Sequence, residues 1–254
     1  MLDRFTLKVF RGVSEKQYWE EFELELTPFL NLTTALLQVQ KNPVNKAKQK
    51  VTPVAWEQGC LEEVCGSCTI LVNGRPRQGC TALVHKILEE TGGSVITIAP
   101  MTKFPLVKDL VVDRDRMFES LKKVHAWVDA DDSLDRGVGS KISPAIQEVR
   151  YELSTCMTCG CCLEACPQIN QHTKFMGAAA ISQVRLFNAD STGKLQSGER
   201  LRSLMDEGGI AECGNAQNCV AVCPKKISLT ESIALMQREV SKQAVKDFFS
   251  VPDA

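Results

Sequence analysis

The chain lacks any apolar run near the roughly 18 residues that cross a bilayer, so no segment of its 254 residues is expected to span a membrane. Attachment to a membrane, if it occurs, has to come through a partner. A basic excess is lacking too. The sequence holds 30 Lys and Arg against 31 Asp and Glu, with a pI near 6.3. That balance excludes the electrostatic footprint of a nucleic-acid binder. The N-terminal stretch MLDRFTLKVFRG has neither the apolar core nor the small-residue cleavage site of a signal peptide, and its early acid is unlike an Arg-rich transit peptide. A cytosolic chain is expected. Histidine is scarce, at three residues, but cysteine is plentiful, at twelve. In a reducing compartment these are thiols, not disulfides. Their grouping into three short blocks points to metal ligation, not to scattered small hydrophobes.

Between the blocks the chain changes character. Phe5–Phe10 alternates apolar and polar residues as a half-buried strand does, and Tyr18–Leu26 alternates likewise, predicting a hairpin. Leu32–Val39 has helical spacing. Thr69–Val72 runs into Asn73-Gly74, a strong short hairpin signal, and Val95–Ile98 reads as a last strand. Residues 1–105 therefore read as an α+β unit of strands, a helix and a cysteine-rich loop. Residues 106–254 read as mostly helical. Val112–Val128 is predicted as a helix with Asp113 as N-cap and an apolar stripe of Met117, Leu121, Val124 and Val128. Asp129–Asp132 and Gly137–Gly139 read as a surface loop, and Ala145–Leu153, Ala178–Phe187, Glu199–Met205 and Leu229–Gln243 favour helix.

Cys60, Cys65, Cys68 and Cys80 follow C-x4-C-x2-C-x11-C. The first spacings are those of a plant-type [2Fe–2S] ferredoxin, in which four thiolates hold two irons. The loop has to wrap the cluster, and Gly59 and Gly66 suit a backbone that passes close to sulfur. A four-cysteine zinc site is the rival, but structural zinc prefers two short paired knuckles, and here three ligands crowd one loop.

Cys156, Cys159, Cys162 and Cys166, followed by Pro167, read C-x2-C-x2-C-x3-C-P. In bacterial ferredoxins the fourth cysteine of this run ligates the other cluster when two are present. Cys213, Cys219 and Cys223, followed by Pro224, repeat the pattern, with Ala216 where Cys159 has its counterpart. Crossover assigns Cys156, Cys159, Cys162 and Cys223 to a [4Fe–4S] cluster. Cys166, Cys213 and Cys219 remain, and three thiolates predict a [3Fe–4S] cluster. The alternative at Ala216 is a four-iron cluster whose last iron binds water or an outside ligand. Cys161 fits neither repeat and reads as a small residue packed beside a cluster.

This arrangement resembles the iron–sulfur subunit of succinate dehydrogenase and fumarate reductase along essentially the whole chain. Cys60–Cys68 (CLEEVCGSC) looks like that family's first-cluster loop, and Phe104–Asp113 (FPLVKDLVVD) like its interdomain segment. The resemblance implies a β-grasp plant-type ferredoxin domain followed by an all-α ferredoxin-like domain. It also implies electron relay from a flavoprotein subunit with FAD, through [2Fe–2S], [4Fe–4S] and [3Fe–4S], to a quinone or haem b on a cytochrome b membrane anchor. Succinate oxidation is the expected direction. The same wire run as a fumarate reductase is the alternative, as is a redox-sensing iron–sulfur module. No catalytic residue is expected on this chain, whose place would be peripheral, on the cytoplasmic face of a bacterial membrane.

One departure from the family narrows the expectation. Members that reduce ubiquinone near the three-iron cluster carry tryptophans just after the Cys-Pro and a histidine after the first cysteine of the third block. Here Cys166-Pro167 is followed by Gln168-Ile169-Asn170-Gln171, and Cys213 by Gly214. This looks like the menaquinone-linked branch with a single haem-bearing anchor, which the segment Gly177–Asn188 also resembles. His85 and His125 read as exposed or capping residues; for His172 an approach to the anchor is the lesser alternative to a bland surface role. Lys225-Lys226 reads as a solvated turn or a steering patch. Phe248-Phe249 reads by default as core, with docking on a partner as the alternative.

Overall fold

A computed structural model describes residues 3–129 and 142–250. The expected loop at Gly137–Gly139, with the residues from 130 onward that precede it, lies outside the described residues. Along the chain come β1 (Arg4–Val13), β2 (Lys16–Glu25), α1 (Leu32–Lys41), β3 (Thr69–Val72), β4 (Arg75–Gln78), α2 (Val84–Thr91), β5 (Val95–Ala99), β6 (Leu106–Lys108) and β7 (Val111–Val112). Helices then take over: α3 (Asp115–Lys123), α4 (Pro144–Ser154), α5 (Cys161–Glu164), α6 (Gly177–Ala189), α7 (Ser197–Ser203), α8 (Asn218–Val222) and α9 (Leu229–Phe249). The chain divides into two compact units, Met1–Arg114 with Met157–Ala165, and Asp115–Cys156 with Cys166–Ala254. The sequence places the change near residue 105, whereas the contacts divide at 114 and return the short loop around Cys159 to the first unit.

In the first unit the period-two pattern of β1 buries Phe5, Leu7 and Val9 on one face. β1 pairs antiparallel with β2 and parallel with β5, giving a mixed sheet of order β2-β1-β5-β3-β4. A parallel pair cannot be closed by a hairpin. The crossover from β1 to β5 therefore has room for α1, the cysteine loop and α2. Asn31 caps α1 by accepting the Thr34 amide at 2.8 Å. The apolar stripe of α1 (Leu32, Ala35, Leu36, Val39) joins Phe5, Leu7, Phe22, Ile70 and Ile96 in one core.

Beside this core lies a buried ion cluster. Arg11, Glu20 and Asp109 are 1, 8 and 1% exposed. The Arg11 guanidinium pairs with Glu20, lies 3.2 Å from Asp109 and donates to the Thr52 carbonyl at 2.9 Å. Asp109 in turn accepts the Gly12 and Ala55 amides at 2.7 and 2.8 Å. These charges pin the end of β1, the approach to the cysteine loop and the β6–β7 turn to one another.

The segment Phe104–Asp113 folds as the β6–β7 hairpin of the first unit. This shortens the helix expected over Val112–Val128. Val112 is a strand residue, the Asp113 amide donates to the Pro105 carbonyl, and α3 starts at Asp115. The helix stops at Lys123, and His125 sits in the left-handed region at φ 49°. Of the predicted stripe, Met117 and Val124 are buried, while Leu121 and Val128 are only partly so.

The second unit packs α6 against α4 and α9, with α7 also on α9. Small residues at Gly177, Ala178, Ala180 and Ser182 let α6 sit in the middle. Ser143 and Pro144 start α4. Glu152, near its end, accepts both the amide and the hydroxyl of Ser228 at 2.7 Å, holding the start of α9. The fully buried Arg200 donates to the carbonyls of His125, Trp127 and Gly193 at 2.8, 2.6 and 2.6 Å. α9 runs six residues past the expected end at Gln243, to Phe249. Phe248 and Phe249 are 83 and 77% exposed, so the core reading of this pair is wrong: the extra helical turns carry both rings away from the packed face.

Candidate iron–sulfur sites

The first cysteine loop owes its shape to backbone that visits the left-handed region. Leu61, Glu63 and Gly66 have φ of 62, 56 and 74°. Alternation of this kind turns successive amides to one side and makes an anion-binding concavity. The Glu62, Val64 and Cys65 amides all point at Cys60 Sγ, at 3.3, 3.2 and 3.3 Å. The Cys60 amide donates to Cys65 Sγ at 3.4 Å, and that bond, aided by Ser67, brings the Cys65 thiol down to about 6. A thiol this acidic is largely thiolate near neutral pH, the form that binds iron.

The fourth cysteine returns on a hairpin. β3 and β4 pair from Thr69↔Gln78 to Val72↔Arg75, and Asn73 and Gly74 turn between them at φ 48 and 80°, as a two-residue primed turn requires. The Gly79 amide bonds the Cys68 carbonyl at 3.0 Å, so Cys80 comes back beside Cys68. The eleven-residue gap in the motif is this hairpin. Both residues are buried, and burial followed by the hydrogen bond with Cys68 pushes the Cys80 thiol up to about 12. Amides turned onto Cys60 and Cys65, with Cys68 and Cys80 returned beside each other, fit a cluster anion.

The first unit also holds the loop of Cys159, Cys161 and Cys162. A Cβ on Gly66 would lie 2.8 Å from both Cys159 Cα and the Met157 carbonyl oxygen. The two cysteine loops thus meet backbone to backbone, and no side chain fits between them. The sequence offers Gly66 as a loop glycine. The structure adds this second, stronger reason for it.

Three residues that the spacing argument did not single out hold these loops. Arg114 donates to the carbonyls of Gly66 and Ser67 at 2.8 and 2.7 Å. Glu164, 7% exposed, accepts the Thr102 amide and hydroxyl at 2.9 and 2.6 Å and the Lys103 amide at 2.9 Å, anchoring α5. Gln78, 2% exposed, reaches both Cys68 Sγ (3.5 Å) and Cys161 Sγ (3.6 Å). Cys161 itself is 1% exposed. Its hydrogen bond with Cys159, then burial, raises its thiol, while the same bond brings Cys159 down to about 7.

In the second unit Cys166, Cys213 and Cys219 lie close enough that Cys166 and Cys213 act on the Cys219 thiol, which burial first and these neighbours next push upward. The loop between Cys213 and Cys219 uses left-handed residues again, Asn215 and Gln217 at φ 52 and 61°. Ala216 is exposed on it. Cys156 follows the end of α4, and Cys223 the end of α8. The stretch after Cys166 is clamped by Arg116, which donates to the Asn170 and Thr173 carbonyls at 2.7 and 2.6 Å. His172 is exposed there. His85 lies partly buried in α2, and His125 has Nδ1 3.5 Å from Glu199.

A mixed ferredoxin-like sheet domain with a loop-and-hairpin cysteine site, joined to a helical domain with paired cysteine runs, defines an iron–sulfur electron carrier. The family model of a 2Fe-2S iron–sulfur cluster binding domain matches residues 6–119, and that of a 4Fe-4S dicluster domain matches residues 152–227. The chain is 53% identical over 232 residues to the succinate dehydrogenase iron–sulfur subunit of Bacillus subtilis, covering 91% of this chain and 90% of that one. It is 28% identical to the fumarate reductase iron–sulfur subunit of Wolinella succinogenes, over 92% of this chain and 96% of the other. A solved chain of the Mycobacterium smegmatis Sdh1 complex in the apo form shares the fold, with a TM-score of 0.80 at 23% identity and full coverage of both chains. The chain therefore belongs to the family of succinate dehydrogenase and fumarate reductase iron–sulfur subunits, which transfer electrons through iron–sulfur clusters. Among the described residues no helix is long and apolar enough to cross a membrane.

Proposed function

We propose that Cys60, Cys65, Cys68 and Cys80 hold the [2Fe–2S] cluster, that Cys156, Cys159, Cys162 and Cys223 hold the [4Fe–4S] cluster, and that Cys166, Cys213 and Cys219 hold a [3Fe–4S] cluster. The absence of a thiol at Ala216 supports the last assignment. When bound, the clusters supply one-electron steps with no substrate chemistry on this chain. The protein's contribution is to fix spacing, burial and hydrogen bonding around the sulfurs.

The observation that carries the relay is the backbone contact at Gly66, which stacks the loop of one cluster directly on the loop of the next. Electrons enter from the FAD of a flavoprotein subunit, pass along the clusters and leave to a quinone or haem b on a membrane anchor. The direction is succinate oxidation, on the strength of the 53% identity to a succinate dehydrogenase subunit. The residues after Cys166-Pro167 and Cys213 lack the aromatic and acid–base groups of a ubiquinone pocket. This supports a menaquinone-linked complex whose quinone site lies mainly on the anchor, with this chain peripheral at the cytoplasmic face. An EPR-monitored redox titration of the purified complex, with its quinone extracted and identified, tests the reading. Separate [2Fe–2S], [4Fe–4S] and [3Fe–4S] signals with menaquinone are expected. Zinc in place of iron, or a missing spin system, contradicts the cluster assignment, and ubiquinone contradicts the branch.

A further inference from the structure

Gln78 is a buried amide at the end of β4. Its Nε2 donates to Thr69 Oγ1 at 2.8 Å and faces Cys161 Sγ at 3.6 Å, while its Oε1 lies 3.5 Å from Cys68 Sγ. The Thr69 hydroxyl donates to the Gly66 carbonyl at 2.7 Å, and that carbonyl also takes the Arg114 guanidinium at 2.8 Å. This pattern suits Cys68 as a thiol, which has a proton to give. As an iron ligand Cys68 is a thiolate and only accepts. An amide oxygen 3.5 Å from it then sets acceptor against acceptor inside a buried site.

Half a turn about the last side-chain bond exchanges the amide oxygen and nitrogen without moving the rest of the residue. The N–H then faces Cys68, and the carbonyl faces the Thr69 hydroxyl and the Cys161 S–H. Gly66, losing the Thr69 proton, keeps its bond from Arg114. The Cys161 proton, which otherwise goes to Cys159, then goes to the Gln78 carbonyl, and Cys159 is left to its iron.

We propose that Gln78 is a positioning residue for the relay: with the clusters in place it donates its amide N–H to the Cys68 thiolate and accepts the Cys161 proton on its carbonyl, so that Cys161 serves as a thiol that orients the amide and not as an iron ligand. The inference rests on the cluster assignment proposed above. A hydrogen bond to a ligand sulfur stabilises the more negative, reduced state of the site and raises its potential. One electron arrives and no proton moves, because the Cys161 proton stays on sulfur in both states. Gln78 thereby links the potential of the first centre to the packing of the loop that holds the second.

The test is EPR-monitored redox titration of the whole complex carrying variants of this chain. Gln78→Met, close in length and without a donor, is expected to shift the [2Fe–2S] reduction equilibrium about tenfold toward the oxidised state, ~59 mV for one electron, with the [3Fe–4S] midpoint unmoved. Cys161→Ala gives a smaller shift in the same direction with all cluster signals present, and Cys161→Ser, which keeps a donor, restores the wild-type midpoint. An unchanged [2Fe–2S] midpoint in Gln78→Met overturns the proposal. Loss of the [4Fe–4S] signal in Cys161→Ala also overturns it, by making Cys161 a ligand. If Gln78→Met does not assemble, the isosteric Gln78→Glu carries the test: its [2Fe–2S] midpoint falls, whereas a wild-type midpoint refutes the role. Absence of a [2Fe–2S] signal in the wild-type complex would instead fault the cluster assignment.

Discussion

Around Cys60 the chain turns three amides onto one sulfur by placing Leu61, Glu63 and Gly66 at positive φ. Around Cys213 it reaches the same region at Asn215 and Gln217 and keeps its glycine, Gly214, outside it. Asparagine tolerates the left-handed conformation well, whereas leucine, glutamate and glutamine are strained there by roughly 1 kcal/mol or more each. The contrast separates two uses of glycine. A Cβ on Gly66 meets the backbone of Cys159 and Met157, while a Cβ on Gly214 meets only the end of the Gln168 side chain, at 2.5 Å. Glycine is obligatory where two loops touch through backbone and dispensable where a flexible side chain can step aside.

Substitution at the two glycines should break the comparison most visibly. Gly66→Ala is expected to abolish the [2Fe–2S] signal and disturb the [4Fe–4S] signal, because backbone cannot yield. Gly214→Ala should leave every cluster signal in place, and parallel EPR spectra of the two variants check the pair. Next in size comes the scaffold under the first loop. Arg11→Met leaves Glu20 and Asp109 as buried carboxylates without a counter-charge, a loss of about 3–5 kcal/mol, measurable by denaturant unfolding of the chain. Glu164→Ala strands the Thr102 and Lys103 amides and frees α5, at about 1–3 kcal/mol. Its readout is the same unfolding curve together with a broadened [4Fe–4S] spectrum.

The smallest effect belongs to the second unit. The Ser228 hydroxyl, with the Ser228 amide, holds the Glu152 carboxyl below its usual value of 4.5. A carboxylate so depressed adds stability above its unfolded pKa, and that stability is lost as pH falls through the folded one. Thermal melts from pH 6 downward should show Glu152→Gln losing less stability than wild type across that window, with the two curves parallel above it.

Much of this was legible in residue spacing because cluster ligation is a short-range constraint. The C-x4-C-x2-C run and the Asn73-Gly74 turn that returns Cys80 each act within a few residues. Gln78, Arg114 and Glu164 were not legible. Each acts on a partner distant in sequence (Gln78 on Cys161, Arg114 on Gly66, Glu164 on Thr102), and nothing local marks a glutamine or an arginine as buried. The helix expected from Val112 began late for a similar reason: Val111 and Val112 pair with β6, and that tertiary pairing outweighs their place in an apolar stripe. α9 ran long because Val245 to Phe249 are compatible with helix, although the apolar side chains at its end find no core.

The account turns on one absent thiol, so the most direct measurement is the EPR spectrum of the oxidised complex carrying Ala216→Cys beside that of wild type. Wild type should show the signal of an oxidised three-iron centre, and the variant should lose it as a fourth iron is held. A variant that keeps the wild-type three-iron signal unchanged, or a wild type that never shows one, would contradict the division of eleven cysteines into sets of four, four and three.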